Sequence, residues 1–500
     1  MPAPDQSLPV LRPARLDAGA RSAARRLAAS GVTADHRVLL AGRNTPGFAF
    51  ALLGLMRLGA SIALSDPALP AAHTVGRARE VAADVVVADP DICDSMARAA
   101  RWARPPIPVP ALCADPGPPA APDPDPELSA WSAREDALVA YTSGSTGDPK
   151  PVVRTGRSVV DNIARTAAVM GYERPDLLAP LLPYSHQYGM SIVLLAATTG
   201  AGLLVVPARR LDLALPALAA HRASVVDATP ATYRTLLRLA SRRPGLAREL
   251  GSVRMWCSGG APLDEALASD FPAFGGTELL DGYGSTELGN VALATPDDPR
   301  RCLPLPGVGV SVVDDRGTAV PAGTVGEVVV DTPDRSLGVL VHGRLRAGEA
   351  GPVRTGDIGA IDATGSLRVI GRTAAVHRNG HTLYPDQISA AAASCGAQVH
   401  VAAVPDAERG CRLVLFVEDD SGAGHHEWWR RLRAVLGEHE MPNRVLVLER
   451  LPLAHNGKVD RQRLHRLAVA AVGPVPAPRT AGSEPAPVLA RSRQEAPHGA

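Results

Sequence analysis

Short apolar runs separated by longer amphipathic ones set the pattern of the first hundred residues. Leu16, Ala20, Ala23, Ala24 and Leu27 recur at helical spacing between Leu16 and Ser30, with Gly31 placed to stop the helix. Val38-Leu39-Leu40-Ala41 then reads as a buried strand, Pro46 to Leu58 as a second helix, Ala60 to Leu64 as a strand and Val85-Val86-Val87-Ala88 as another. Short apolar strands alternating with helices predict parallel strands in an α/β sheet.

Further along the pattern changes. Residues 104 to 126 are mostly Pro, Ala and Asp, a connection too rich in proline for a helix or a central strand. Val308 to Val313, Asp314-Asp315-Arg316-Gly317 and Gly326 to Val330 read as strand, turn and strand, which predicts a smaller β-rich subdomain. Strands around Val399 to Val404 and Leu413 to Val417, with a helix from about Trp428 to Leu436, predict a further small α+β unit. After about residue 470 Pro, Ala and Gly dominate, and a disordered tail is expected.

Five hundred residues are enough for two or more compact units. A formal charge of +1 leaves no excess positive charge for a phosphate backbone, so nucleic acid is not an expected partner. The six cysteines are scattered without a C-x-x-C, which indicates neither a disulfide framework nor a zinc site. Met1 to Leu11 lacks the basic start and apolar core of a secretory signal, and no apolar run reaches membrane-spanning length. A cytoplasmic protein with reduced thiols is expected.

The candidate chemistry centres on Tyr141-Thr142-Ser143-Gly144-Ser145-Thr146-Gly147-Asp148-Pro149-Lys150. Glycines let backbone N–H groups approach an anion, the four hydroxyls add donors and Lys150 adds charge, as a phosphate cradle requires. It is not the common nucleotide loop, which needs Gly-Lys adjacent, and Pro149 keeps it from running straight into a helix. Downstream, Leu182-Pro183-Tyr184-Ser185-His186-Gln187-Tyr188-Gly189 interrupts two apolar stretches, and Ser258-Gly259-Gly260-Ala261 follows a strand-like run from Val253 to Cys257. Asp281-Gly282-Tyr283-Gly284-Ser285-Thr286-Glu287, Arg354-Thr355-Gly356-Asp357 and Asn456-Gly457-Lys458-Val459-Asp460-Arg461 complete the set. His425-His426-Glu427 has no further ligands at metal spacing and reads as a solvated loop.

Thr-Ser-Gly-Ser-Thr-Gly-x-Pro-Lys resembles the phosphate motif of the adenylate-forming enzymes, the superfamily of acyl-CoA synthetases, acyl-AMP ligases and peptide-synthetase adenylation domains. Six segments in family order, over roughly residues 20 to 468, carry the resemblance. It implies an adenylation core over residues 1–370, a mobile carboxy-terminal domain over 371–470 and a tail from 471 to 500, with the hinge at Gly371-Arg372.

The resemblance also implies roles. Thr142 to Gly147 and Lys150 grip the ATP phosphates, Tyr283 stacks on adenine in a segment with Asp281 and Gly282, and Gly260 and Ala261 border it. Thr286 reaches the α-phosphate, Glu287 holds Mg²⁺, Asp357 accepts the ribose hydroxyls with Arg372 nearby, and Lys458 is the adenylation lysine. His186, Tyr188, Gly189 and Gly259 line the acyl pocket. The implied reaction joins a carboxylic acid to AMP with loss of pyrophosphate, then passes the acyl group to a pantetheine thiol of CoA or a separate carrier protein.

After Arg372 the chain departs from the family pattern: Thr373 to Gly380 is one residue short and lacks the usual Ile-Lys, with Arg378 as one candidate substitute. A catalytically impaired nucleotide-binding relative, and a stand-alone enzyme for an amino acid or aryl acid, are the alternative readings. A hydrolase or kinase of unrelated fold is disfavoured, since neither a Gly-x-Ser-x-Gly elbow nor a Gly-Lys phosphate loop occurs.

Overall fold

A computed structural model describes residues 8–99, 104–113, 128–142, 149–208, 210–263, 265–314, 316–372, 376–378, 381–406, 410–454 and 457–472. The alternating pattern of the amino-terminal region becomes a parallel arrangement. Arg37–Ala41 pairs with Ser61–Ser65 on one side and Val85–Ala88 on the other, and Ser61–Ser65 pairs with Leu138–Tyr141, all parallel. Ile107–Pro108 adds a two-residue strand at the edge of this eight-stranded sheet, where proline's missing N–H costs no ladder bond. Leu138–Tyr141 also pairs antiparallel with Pro151–Arg154, so the Ser/Thr/Gly segment connects two neighbouring strands.

A second eight-stranded sheet is built around Leu177–Pro180, with Gly202–Leu204, Val225–Ala228, Met255–Gly259 and Leu279–Ser285 joined in parallel. Helices Pro13–Ala29, Pro46–Arg57, Gly156–Met170 and Gln187–Thr199 contribute to one core with both sheets, which unites Leu40 and Ile62 from the first with Leu178 and Met255 from the second. Caps fix where the chain turns between strand and helix. Thr45, Thr155 and Thr229 accept from Phe48 N, Ser158 N and Thr232 N, and Pro46 and Pro230 supply the preset first helical φ.

The β-rich segment forms a four-stranded antiparallel sheet, Gly309–Val313, Gly326–Asp331, Val353–Ile361 and Leu367–Arg372. Beyond it, Gln398–Asp406, Gly410–Glu418 and Arg444–Leu448 make a three-stranded sheet with apolar side chains on both faces. Val401, Leu413 and Leu415 pack on Trp428 and Leu432, while Val404, Val414 and Phe416 pack on Leu464 and Ala468. Period-two alternation places these sets on opposite faces.

Two boundaries differ from the sequence expectation. The helix expected from Trp428 to Leu436 runs His425–Leu432; Trp428 and Leu432 share its buried face at i, i+4 spacing, and Leu436 is buried beyond its end. Ser258 and Gly259 belong to the strand Met255–Gly259, and the turn begins at Gly260 with φ +79°. Among the described residues no helix is long and apolar enough to cross a membrane, the six cysteines are free thiols, and no three His, Cys, Asp or Glu cluster as metal ligands.

Candidate active site

Ligands of open α/β sheets bind outside the carboxyl ends of the parallel strands, and a cavity of this chain opens there. It has a volume of about 140 Å³ and lies over the ends of Val225–Ala228, Met255–Gly259 and Leu279–Ser285. The register sets Asp227 opposite Cys257, Ser258 opposite Asp281 and Gly259 opposite Gly282.

His186, Tyr188 and Gly189 come together with Gly259 on this wall, where the helix Gln187–Thr199 begins. Gly189 permits the approach: a Cβ there would lie 2.1 Å from the Pro183 carbonyl oxygen. Asn44 holds the same turn, donating to Leu182 O at 2.8 Å and Val206 O at 3.0 Å while accepting from Tyr184 N at 2.8 Å. The Tyr188 ring covers Gly259, where a Cβ would meet its Cε1 at 2.9 Å, and its hydroxyl donates to Asp227 Oδ1 at 3.0 Å. His186 Nε2 stands 3.5 Å from Asp66 Oδ2 and makes no hydrogen bond among the described residues.

Asp227 was not among the residues that sequence reasoning picked out. Its signal was a lone acid inside the apolar strand Val225-Val226-Asp227-Ala228. The side chain is 1% exposed, and burial pushes its carboxyl up to about 7 against the opposing hydrogen bond from Tyr188. Its Oδ2 has no hydrogen-bond partner among the described residues.

On the nucleotide side, Tyr283 and Asp357 are joined by a hydrogen bond, Tyr283 Oη donating to Asp357 Oδ2 at 2.7 Å. The bond ties Leu279–Ser285 to Val353–Ile361, and Asp357, 7% exposed, also donates its backbone N–H to Thr355 Oγ1 at 3.0 Å. Asp281 lines the cavity, with its carboxyl pushed up to about 6 by burial. Gly282 and Thr286 share that wall; Glu287 follows Thr286, and its carbonyl accepts from Ser336 N at 2.6 Å. Glu287 itself does not line the cavity, and its carboxylate acts on the buried Arg154 guanidinium.

The two ends of the Ser/Thr/Gly segment are joined by Thr142 N donating to Lys150 O and Lys150 N to Thr142 Oγ1, both at 3.1 Å. Ser143, Gly144, Ser145, Thr146 and Gly147 lie outside the described residues, as do Thr373 to Ala375, the Arg372 side chain and the tail from residue 473. Arg372 ends the strand Leu367–Arg372 opposite Asp357. Ala261 lies in the turn after Gly260 and does not line the cavity. Arg378 does not substitute for the missing lysine in this arrangement, because its guanidinium donates to the carbonyls of Met441 at 2.6 Å and His439 at 3.1 Å.

Lys458 reaches the cavity from the carboxy-terminal region, its Cε 3.3 Å from where a Cβ on Gly260 would stand. Ala454 N donates to Lys458 O at 2.7 Å, and Gly457 N donates to Ala454 O at 3.0 Å, with Gly457 at φ +78°. Thr229 Oγ1 donates to Gly457 O at 3.3 Å. Lower down, Arg238 of the helix Pro230–Arg242 ion-pairs with Glu418 Oε1, while Glu418 Oε2 accepts from Leu451 N at 3.0 Å. One carboxylate, 7% exposed at the side chain, thus links the large sheet region to the loop that leads to Lys458.

Parallel strands that end in a cavity, a hydroxyl and a carboxylate beside it, and a lysine delivered from a separate small sheet define an enzyme fold of the adenylate-forming superfamily. The chain belongs to its AMP-binding enzyme family, which residues 14–340 match. It is 31% identical over 369 residues to an anthranilate–CoA ligase of Pseudomonas aeruginosa, across 68% of this chain and 69% of that protein. It is 26% identical over 346 residues to a long-chain-fatty-acid–CoA ligase of Yersinia pestis, across 66% of this chain and 61% of the relative. ATP-bound MatB from Rhodopseudomonas palustris shares the fold at a TM-score of 0.79 and 23% identity, across 94% of this chain and 98% of that one.

Proposed function

We propose that this protein uses ATP to convert a compact carboxylic acid, of about the size of one aromatic ring, into an acyl-adenylate, and transfers the acyl group to a pantetheine thiol, with CoA the first choice and a separate carrier protein the second. The observation that carries this reading is Lys458 seated over Gly260 in the cavity that also holds Thr286 and the Tyr188 wall. The anthranilate and fatty-acid ligases differ most in the size of their acids. The anthranilate ligase is the more similar of the two, at 31% against 26% identity, which favours the smaller kind.

In the first half-reaction a carboxylate oxygen attacks the α-phosphorus and pyrophosphate leaves. The Lys458 ammonium offsets the repulsion between the two anions, and Thr286 donates to the same phosphate. Glu287 would hold Mg²⁺, which would supply charge neutralisation at the phosphates. Asp357, positioned by Tyr283, accepts from the ribose hydroxyls. In the second half-reaction the thiolate attacks the acyl carbonyl and AMP leaves. Incubation with ATP, a benzoate and CoA tests the whole sequence: AMP and an acyl-CoA in equal amounts are expected, and ADP in place of AMP contradicts it.

Two residue tests follow from the geometry. Asp357→Ala is expected to raise the Michaelis constant for ATP, since each charge-assisted hydrogen bond is worth about 1.5 to 3 kcal/mol. An unchanged constant and turnover would leave Asp357 as a strand-joining residue alone. Arg238→Ala removes an ion pair of Glu418 across the two regions, leaving Arg234 facing the same carboxylate, and is expected to slow adenylation about tenfold, or ~1.4 kcal/mol. The check is a pre-steady-state rate of acyl-adenylate formation, with the rate of thioester formation from supplied acyl-adenylate as the internal comparison.

A further inference from the structure

Four residues that line the cavity, His186, Gln187, Asp227 and Ser258, keep a buried polar atom with no partner among the described residues, and of these four Asp227 is the carboxylate. Asp227 sits within the sheet at 1% exposure, with Oδ1 occupied by the Tyr188 hydroxyl and Oδ2 facing no donor among the described residues. Its neighbours give it no cation. Tyr233 spends its hydroxyl on the carbonyls of Val226 at 2.9 Å and Cys257 at 2.8 Å, and the strand on the other side places Pro180 opposite. A buried carboxylate oxygen without a donor is costly, so such a group persists where a ligand completes it.

Resting on the reading of this cavity as an acid-activating site, we propose that Asp227 is a specificity-determining residue that accepts a hydrogen bond from a hydroxyl or amino substituent of the substrate acid. The substituent lies at the end of the acyl body away from the reacting carboxyl group. Asp227 is registered with Cys257, and Gly260, which Lys458 covers, is three residues further on, or about 10 Å at ~3.3 Å per residue. That distance accommodates a single ring with the carboxyl at one end and a donor at the other. Tyr188 spans both ends, its ring on Gly259 and its hydroxyl on Asp227, so it orients the carboxylate toward the ligand.

The burial that lifts the Asp227 carboxyl to about 7 supports the assignment, because a bound donor favours the ionised form and offsets that lift. A site built to hydrogen-bond a substrate group rejects the analogue that lacks it, since its own buried polar atom is then left unpaired.

The test uses pyrophosphate exchange by the full chain with matched acids: 3- and 4-hydroxy- and aminobenzoates against the corresponding methylbenzoates. In the wild type, at least one donor-bearing acid is expected to exceed its methyl partner in kcat/KM by roughly a hundredfold or more. In Asp227→Leu the ratio is expected to fall to near one or to invert, as the methyl partner gains. Equal use of both members by the wild type overturns the proposal, as does preference for nitro- or acetylbenzoates, which carry acceptors only. The wild-type comparison decides even where the leucine variant fails to fold. Absence of exchange with every acid would instead refute the acid-activating reading itself, and the role of Asp227 with it.

Discussion

Lys458→Ala is expected to lower acid-dependent pyrophosphate exchange by roughly a hundredfold to a thousandfold while largely keeping thioester formation from a supplied acyl-adenylate. The separation follows from where the charge is needed. When carboxylate and α-phosphate meet, two anions share a site from which water is largely excluded, and no neutral side chain offsets their repulsion. When a thiolate attacks the acyl-adenylate, the acyl carbonyl is neutral and Lys458 has no comparable task. Its loop is independently held by Thr229 and by Leu451 on Glu418, so removal of the amine leaves the backbone in place. A lysine that merely decorated a turn would change neither half-reaction on removal. Loss of both, with an unchanged melting temperature, would show that it serves a step common to the two.

The second large effect concerns stability. Asp227→Asn is expected to stabilise the ligand-free protein at pH 8 by up to about 4 kcal/mol, which is the lift from the ordinary 3.8 to about 7 expressed as free energy. The folded state holds the Asp227 proton more tightly than the unfolded chain does. Raising the pH from about 4 therefore releases the proton from the unfolded chain first and destabilises the wild type progressively up to about pH 7, beyond which the cost is constant. Asparagine does not titrate, so its advantage is expected to be full at pH 8, smaller at pH 5 and absent below about pH 4. The groups that face Asp227 do not confuse the reading: burial raises the Tyr172, Tyr188 and Tyr233 hydroxyls and the Cys257 thiol well above their ordinary values. Urea midpoints at the three pH values check this, and a difference independent of pH contradicts it. A stability cost retained at a binding position is what a site shaped for its ligand would carry.

The strands around Leu40, Ile62 and Val86 were legible because a run of apolar residues bounded by helices leaves few alternatives. The residues near Thr286 and Lys458 were legible for another reason, since their chemistry is written in contiguous segments. What escaped is what only register and tertiary contact create. Asp227 acquires its meaning by standing opposite Cys257 beneath Tyr188, and Asn44 by holding a turn some 138 residues away in sequence. The link from Arg238 through Glu418 to Leu451 joins three segments whose separate sequences give no sign of it. Arg378 shows the converse: nearness in sequence to a missing lysine did not carry its function, because its guanidinium is committed to the Met441 and His439 carbonyls.

Exchange of labelled pyrophosphate into ATP tests the central claim most directly, because it isolates the step in which acid, ATP and Lys458 act together. The account predicts that label enters ATP only when a compact carboxylic acid is present, that no CoA is needed, and that hydroxylamine traps the acyl group. Label entering ATP without any acid, or ATP turned over to ADP and phosphate with no exchange, would contradict it.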